Sequence, residues 1–355
     1  MSIIFEANNC SLIDHSVYIS KLYEKFVGED AEYNYKLKST IFCIKNVKKK
    51  NRKRKLDYDK IGTEAITLKN KYTLFKDKIP DNIKKKLYSQ YNVGDTKIVR
   101  QFSQKLFEAT DLNLLGINGG NNSNIPLKCR LFDNDFYLPG NSRFYCGDVK
   151  DICVKLDCNK YDIVIADPPW WNKYIRRLKS SNNKLSYTMM YNEDIGNLPI
   201  KNLLSSNCLV VIWCTNSPSC IKSVIDEIFP KWGVEYLTTW YWLKVCIDLT
   251  PICEFSSGCM KQPYERLIIG KVGNIGQVPE EKIIVSVPSA LHSHKPPIIE
   301  LLQAYLSTKN ACVLELFARY LLPNTTSIGF EPLKWQHSSL FELEETVNIK
   351  PLEIV

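Results

Sequence analysis

Asp167-Pro168-Pro169-Trp170 follows directly on a short apolar run, Tyr161–Ala166. Two prolines fix φ and remove two N–H donors, so the turn is stiff. The residues before them are pushed to extended geometry, and their carbonyls are left to accept. The turn therefore offers a carboxylate, a fixed carbonyl and a flat aromatic face. That set suits an exocyclic amine on a planar base. The Asp167 carboxylate and the Pro168 carbonyl accept from its two N–H bonds, and Trp170 stacks on the ring. The plainer alternative is a rigid strand-end turn around a buried tryptophan.

Such a turn needs a strand to carry it. Residues 161–166, 208–213, 236–243, 266–270, 283–287 and 312–317 are short apolar runs rich in β-formers. Helical stretches near 220–229 and 297–306 alternate with them. Near-continuous apolar strands are buried on both faces, and strands spaced by helices make an α/β fold with a mostly parallel sheet. Ligands of such sheets bind at the carboxyl ends of the strands, which is where Asp167 falls.

The first part of the chain differs. The protein has 355 residues, with 47 Lys and Arg against 38 Asp and Glu. The whole excess of nine lies in residues 1–140, most of it in Lys48-Lys49-Lys50-Asn51-Arg52-Lys53-Arg54-Lys55. Such a block is solvated, and it reads as a nuclear import signal or a phosphate-contacting patch. From there to residue 110 the pattern is helical. Asp81 caps one helix that carries Ile83, Leu87 and Tyr91, and a second carries Ile98, Phe102 and Leu106. The Gly- and Asn-rich stretch 116–124 reads as a linker. The expected organisation is a basic, mainly helical N-terminal part, made of an N-terminal region over 1–60 and a helical accessory region with linker over 61–125, followed by the main domain over 126–345.

Several classes lose support. No run approaches the length of a membrane span, and the N-terminus resembles neither a secretory signal nor a mitochondrial presequence. The 13 Cys include no C-x-x-C pair and read as reduced core thiols. His292-Ser293-His294 lacks acidic or Cys partners in the sequence nearby, so no metal site is expected. No His or Cys constellation has nucleophile spacing.

Three further segments accompany Asp167-Pro168-Pro169-Trp170. They are Asn172-Lys173 with Arg176-Arg177, then Leu291-His292-Ser293-His294-Lys295-Pro296-Pro297, then Leu314-Glu315-Leu316-Phe317-Ala318-Arg319. Residues 207–216 fit as well. Together they resemble the DPPW-type N6-adenine methyltransferases, over roughly residues 140–340. The resemblance implies a Rossmann-like sheet, S-adenosylmethionine as donor, and donor motifs that fall after the catalytic turn, an order permuted relative to most methyltransferases. It implies catalytic roles for Asp167, Pro168, Pro169 and Trp170. Lys295 would meet the donor's carboxylate, Asp148 its adenine, Arg319 the donor site and Glu331 the ribose; Asp167 would also touch the donor's amino group. Asn172, Lys173, Arg176 and Arg177 follow the turn, and the polar and basic side chains there would hold phosphates beside a splayed-out nucleotide. One position departs: Phe330 stands where the family has a ribose-binding Asn, which leaves a catalytically weak or dead nucleic-acid-binding subunit as the alternative.

Adenine N6 is a poor nucleophile because its lone pair is delocalised into the ring. Two acceptors on its hydrogens favour pyramidal geometry, and positioning supplies most of the rate without a strong base. The expected protein is a nuclear monomer acting on RNA, with a small nuclear RNA adenosine as the favoured target and DNA as the alternative. Cytosol or mitochondrion are the alternative locations.

Overall fold

The apolar runs become the strands of one large sheet. In this computed structural model the described residues are 2–24, 26–27, 32–45, 62–92, 95–156, 159–171, 189–256 and 261–344. β1 (Ile3–Ala7) and β2 (Cys10–Ile13) form a hairpin, followed by β3 (Phe26–Val27) and β4 (Glu32–Leu37). Three helices, Thr63–Lys78, Asp81–Tyr91 and Thr96–Ala109, lead to β5 (Asn118–Asn121) and the hairpin of β6 (Leu127–Leu131) and β7 (Asn134–Leu138). Then come β8 (Ser142–Cys146), β9 (Tyr161–Ala166), β10 (Leu204–Cys214), β11 (Glu235–Lys244), β12 (Tyr264–Val272), β13 (Ile283–Ser286), β14 (Val313–Leu316), β15 (Thr325–Gly329) and β16 (Phe341–Glu344).

Eleven strands join in the order β1-β2-β13-β11-β12-β10-β9-β14-β15-β8-β5. The expected α/β class is present, and five neighbours from β8 to β10 are parallel. The sheet as a whole is mixed, since β12 runs antiparallel to both β10 and β11. β9 lies at the centre. Ile163 and Ile165 face one core cluster and Val164 and Ala166 the other, so the strand is covered on both sides, which is why it reads as an unbroken apolar run.

This order makes the site. The chain leaves β9 towards β10 on one side and leaves β14 towards β15 on the other. The two connections diverge and open a crevice at the carboxyl ends of β9 and β14, the topological switch point of the sheet. Segments far apart in sequence thus meet across one backbone ladder, with Ala166 opposite Leu316. Because β12 is antiparallel, its beginning arrives at the same edge.

Four expectations change before residue 126. The opening residues are not mainly helical: β2 pairs in parallel with β13 and so extends the central sheet. The stretch expected as a linker contains β5, paired antiparallel with β8, so a boundary at residue 126 has no counterpart in the sheet. A Cβ on Gly120 would lie 2.3 Å from the Ser142 carbonyl oxygen. The glycine is there for close backbone approach at a sheet edge. The third helix buries Thr96, Val99, Ser103 and Leu106, while Ile98 is 63% exposed. Small polar residues at the interface shifted the buried stripe by one position, and the Thr96 hydroxyl accepts the Lys45 N–H at 3.3 Å. Pro80, not Asp81, is the cap of the second helix.

Candidate active site

Lys295 stands between two carboxylates. Its Nζ lies 3.4 Å from Asp167 Oδ1 and donates to Glu265. Glu265 also accepts from Lys244. The result is an alternating row, Asp167, Lys295, Glu265, Lys244, across one edge of the sheet. Each member comes from a different place in the chain. Asp167 follows β9, Glu265 begins β12, Lys244 ends β11 and Lys295 lies beyond β13. The Lys295 ammonium also sits 5.1 Å from the centre of the Trp213 ring.

The four groups share one partly buried environment, and their titration follows from it. Burial pushes Asp167 above the usual carboxylate range, opposed by Lys295 and Arg319 and helped by Glu265. Burial alone would neutralise Lys295, but Asp167 and Glu265 outweigh it and raise its pKa. Burial also acts to raise Glu265, yet Lys295 and Lys244 together carry it down to about 2. At Lys244 burial wins over the pull of Glu265, and the pKa is lowered.

The proline turn is tied down on both flanks. The Pro168 carbonyl accepts the Trp170 N–H at 2.8 Å, and the Pro169 carbonyl accepts the Met190 N–H at 2.9 Å. The Trp170 indole N–H donates to the Trp213 carbonyl at 2.8 Å. Trp170 is only 6% exposed. This corrects the expectation of an open stacking face: a buried indole needs an acceptor for its N–H, and the end of β10 supplies it. Trp170 is the anchor of the turn. Its neighbour Trp171 stacks on Tyr191, with ring centres 5.9 Å apart and planes at 17°, and Tyr191 is 61% exposed. That aromatic surface was not foreseen; the only sequence signal was the Trp pair itself.

The other expected donor residues lie on the same edge. Arg319 follows β14, donates to the His292 carbonyl at 3.0 Å, and has its Nε 3.6 Å from Glu331 Oε2. Glu331 also accepts from Lys334 at 2.8 Å, so its carboxylate is held inside an ion cluster rather than presented alone. Asp148 sits after β8 and caps the helix Val149–Lys155, accepting the Lys150 N–H at 2.8 Å. Phe330 packs against the core cluster that holds Val149 and Phe317. Asn172, Lys173, Arg176 and Arg177 lie outside the described residues.

Two residues at this edge adopt left-handed backbone, Ser293 (φ 54°) and Phe317 (φ 62°). Such positions concentrate where a site dictates the backbone. His292 is brought down to about 4 by burial and by Arg319 and Lys295, and is therefore neutral at pH 7. His294 is buried against His15, ring centres 4.3 Å apart, as part of the packing between the N-terminal residues and the domain.

Sequence reasoning assigned no role to Glu265, Lys244 or Glu315. Glu265 and Lys244 stand in β-strand contexts, and nothing local marks them. Glu315 was visible as a charge inside an apolar run. It lies on β14 between Ile165 and Ser327, and its Oε2 is buried without a hydrogen-bond partner. Burial, then Asp167, push its carboxyl up to about 8. An orphaned carboxyl oxygen near Asp167, with Lys295 and Arg319 on the same edge, gives a site with both charge signs. That fits a zwitterionic ligand carrying an ammonium and a carboxylate.

Residues 161–331 match the MT-A70 family model. That stretch, a little under half of the chain, is similar to the MT-A70 family. The match begins at β9 and ends at Glu331, so it includes the proline turn, Lys295 and Arg319 and leaves out Asp148. Among curated proteins, the mouse protein named N(6)-adenine-specific methyltransferase METTL4 is 37% identical over 234 residues, covering 62% of this chain and 48% of the relative. The Caenorhabditis elegans protein named DNA N6-methyl methyltransferase is 36% identical over 211 residues, 58% of this chain and 55% of the relative. The Pyricularia oryzae protein named N6-methyladenosine RNA methyltransferase MTA1 is 30% identical over 220 residues, 59% of this chain and 58% of the relative. The chain spans about half the length of the METTL4 relatives it matches. Among the described residues no helix is long and apolar enough to cross a membrane, and no group of three or more His, Cys, Asp or Glu could hold a metal ion.

Proposed function

We propose that this protein transfers a methyl group from S-adenosylmethionine to the N6 amine of adenine in nucleic acid, with an RNA adenosine as the favoured target. The observation that carries the proposal is the pairing of Lys295 with Asp167 at the end of β9. It brings the base-facing carboxylate and a cation suited to the donor's carboxylate to one point. Relatives named for RNA and for DNA both support adenine as the acceptor base.

S-adenosylmethionine, when bound, supplies a methyl group already activated on a sulfonium. The protein's part is placement. Lys295 and Arg319 bind the anionic end of a donor, and Asp167 faces its cationic groups. The Pro168 carbonyl has two lone pairs. One is engaged by the Trp170 N–H, which fixes its direction, and the other accepts from the target amine. Asp167 accepts the second amine hydrogen and is oriented by Lys295. With both hydrogens held, the nitrogen lone pair is directed away from the ring plane. Trp171 and Tyr191 offer the aromatic surface at the mouth of the turn.

The test is transfer from labelled donor to matched adenine-containing RNA and DNA oligonucleotides, with equilibrium donor binding measured alongside. Donor binding with transfer to RNA supports the proposal in full, and transfer to DNA alone moves the target. No donor binding would instead favour a nucleic-acid-binding partner subunit, in keeping with Phe330 and the closed Glu331 cluster.

A further inference from the structure

The stacked rings of Trp171 and Tyr191 are fastened directly to the catalytic turn. The Trp171 N–H donates to the Met190 carbonyl at 3.0 Å, and the Met190 N–H donates to the Pro169 carbonyl at 2.9 Å. These two bonds hold Tyr191 at the turn although it is distant from it in sequence. Its other flank is anchored as well. The Tyr191 N–H donates to Asp194 Oδ2 at 3.1 Å at the start of the short helix Asn192–Gly196. Ile195 of that helix is fully buried, and the Gly196 carbonyl accepts the Trp232 indole N–H at 3.2 Å. The stack therefore stands on core-bound backbone, yet neither ring belongs to any of the three core clusters. Among the described residues Tyr191 stacks on no ring but Trp171, and with 61% exposure its other face is open.

The chemistry at the turn says what that face can take. A base whose amine reaches Asp167 and the Pro168 carbonyl must leave its stack. The base next to it in the strand then loses a stacking partner. Trp170 cannot replace that partner, because it is buried with its N–H on the Trp213 carbonyl. Tyr191 can. A base on its free face is the third layer of a stack, about 3.4 Å beyond the ring, and so is not the base held in the turn. The exposed charges beside the ring are Glu193 and Asp194. They repel a phosphate, which leaves a neutral base as the group that suits this surface.

We propose that the Trp171–Tyr191 stack receives the base adjacent to the methylated adenine and takes the place of the partner which that base loses. The proposal rests on the function given above and adds a second recognised nucleotide to it. Every base has a π-face, so the contact tolerates any base at that position. Trp171 backs the Tyr191 ring, and the bonds to Pro169 and Met190 set its distance from the reacting amine.

Tyr191→Ala and Tyr191→Phe in the full chain test this. The probe is a labelled single-stranded RNA of about twelve nucleotides with a single adenine, compared with versions that are abasic at the adenine or at either neighbour. Donor affinity and melting temperature are read alongside. Tyr191→Ala should bind the intact strand about 5- to 100-fold more weakly, and Tyr191→Phe should bind it as the parent does. The slope of log affinity against log salt should not change, since no phosphate contact is lost. An abasic site at one neighbour should weaken the parent by a similar factor, and combining it with Tyr191→Ala should cost little more than either alone. Donor affinity and melting temperature of Tyr191→Ala should match the parent. Parental strand affinity in Tyr191→Ala, an equal loss in Tyr191→Phe, or losses that multiply at both neighbours each overturn the proposal. So does an effect of Tyr191→Ala that vanishes only when the adenine itself is abasic, which would place the target base on the ring. A clear drop in melting temperature would mark the ring as part of the fold and overturns it too. If the parent binds and methylates no oligonucleotide, the proposed function falls and this contact with it. If the parent does both and Tyr191→Ala binds equally well, only this contact falls.

Discussion

The Lys295 ammonium and the Asp167 carboxylate lie 3.4 Å apart although one ends a loop beyond β13 and the other follows β9. Lys295 is held from its other side by Glu265. It can therefore orient Asp167 without depending on that carboxylate alone for its charge.

Asp167→Ala should abolish methyl transfer and leave the fold intact, because Asp167 stands at a strand end outside the core clusters. Circular dichroism and labelled-donor transfer check this together. Folded variant with activity within about threefold of the parent removes Asp167 from the mechanism.

Glu265→Gln should lower stability by roughly 2 kcal/mol, because it leaves two partly buried ammonium groups without their shared anion. The pH dependence has a definite sign. The folded pKa is depressed to about 2, below the ordinary glutamate value of about 4.3. Its contribution is present above about 4.3 and is lost as pH falls towards 2. Acid titration of stability should thus be shallower in the variant over that window. Superimposable acid limbs would show that Glu265 is not the anion between the lysines.

Glu315→Gln should show the opposite trend. Burial and Asp167 push Glu315 up to about 8, so the folded protein holds this proton more tightly than the unfolded chain. The stabilisation is fully present below about 4.3 and is lost as pH rises through 8. The melting temperature of the variant relative to the parent should therefore climb between about pH 5 and 9. A difference that stays flat across this range contradicts a buried, proton-bearing Glu315.

Phe330→Asn should tighten donor binding or leave it unchanged, since a ribose partner contributes about 0.5–1.5 kcal/mol. Phe330 packs against a core cluster, so the same change should cost about 1 kcal/mol of stability. Calorimetric titration and thermal melting separate the two effects. Much weaker donor binding would make the ring itself part of the donor site.

Neutralising the basic run at residues 48–55, which lies outside the described residues, should move the protein out of the nucleus or weaken nucleic-acid binding, with donor affinity unchanged. Each lost phosphate contact should flatten the salt slope by about 0.7 on a single strand. Unchanged localisation together with an unchanged slope would reduce the run to a solvated loop.

Local chemistry was legible in the chain itself. Tyr161–Ala166 is buried on both faces and had to be apolar throughout, so the strand and the turn after it could be read directly. The prolines stiffen that turn whatever surrounds it. Lys295 and Arg319 stood out as charges next to apolar or proline-bound segments. What the chain could not disclose was pairing. β8 and β15 carry polar and small residues, Ser142-Arg143-Phe144-Tyr145-Cys146 and Thr325-Thr326-Ser327-Ile328-Gly329, and become strands only because neighbours complete their ladders. Glu265 and Lys244 gained a role only when an antiparallel β12 delivered its first residues to the edge where the parallel strands end. Trp170 carried an aromatic face in the sequence, but the position of the Trp213 carbonyl decided that the face is buried. Side-chain types set which chemistry is available; strand order and direction decide which groups meet, because those depend on hydrogen bonds between segments that no local pattern relates.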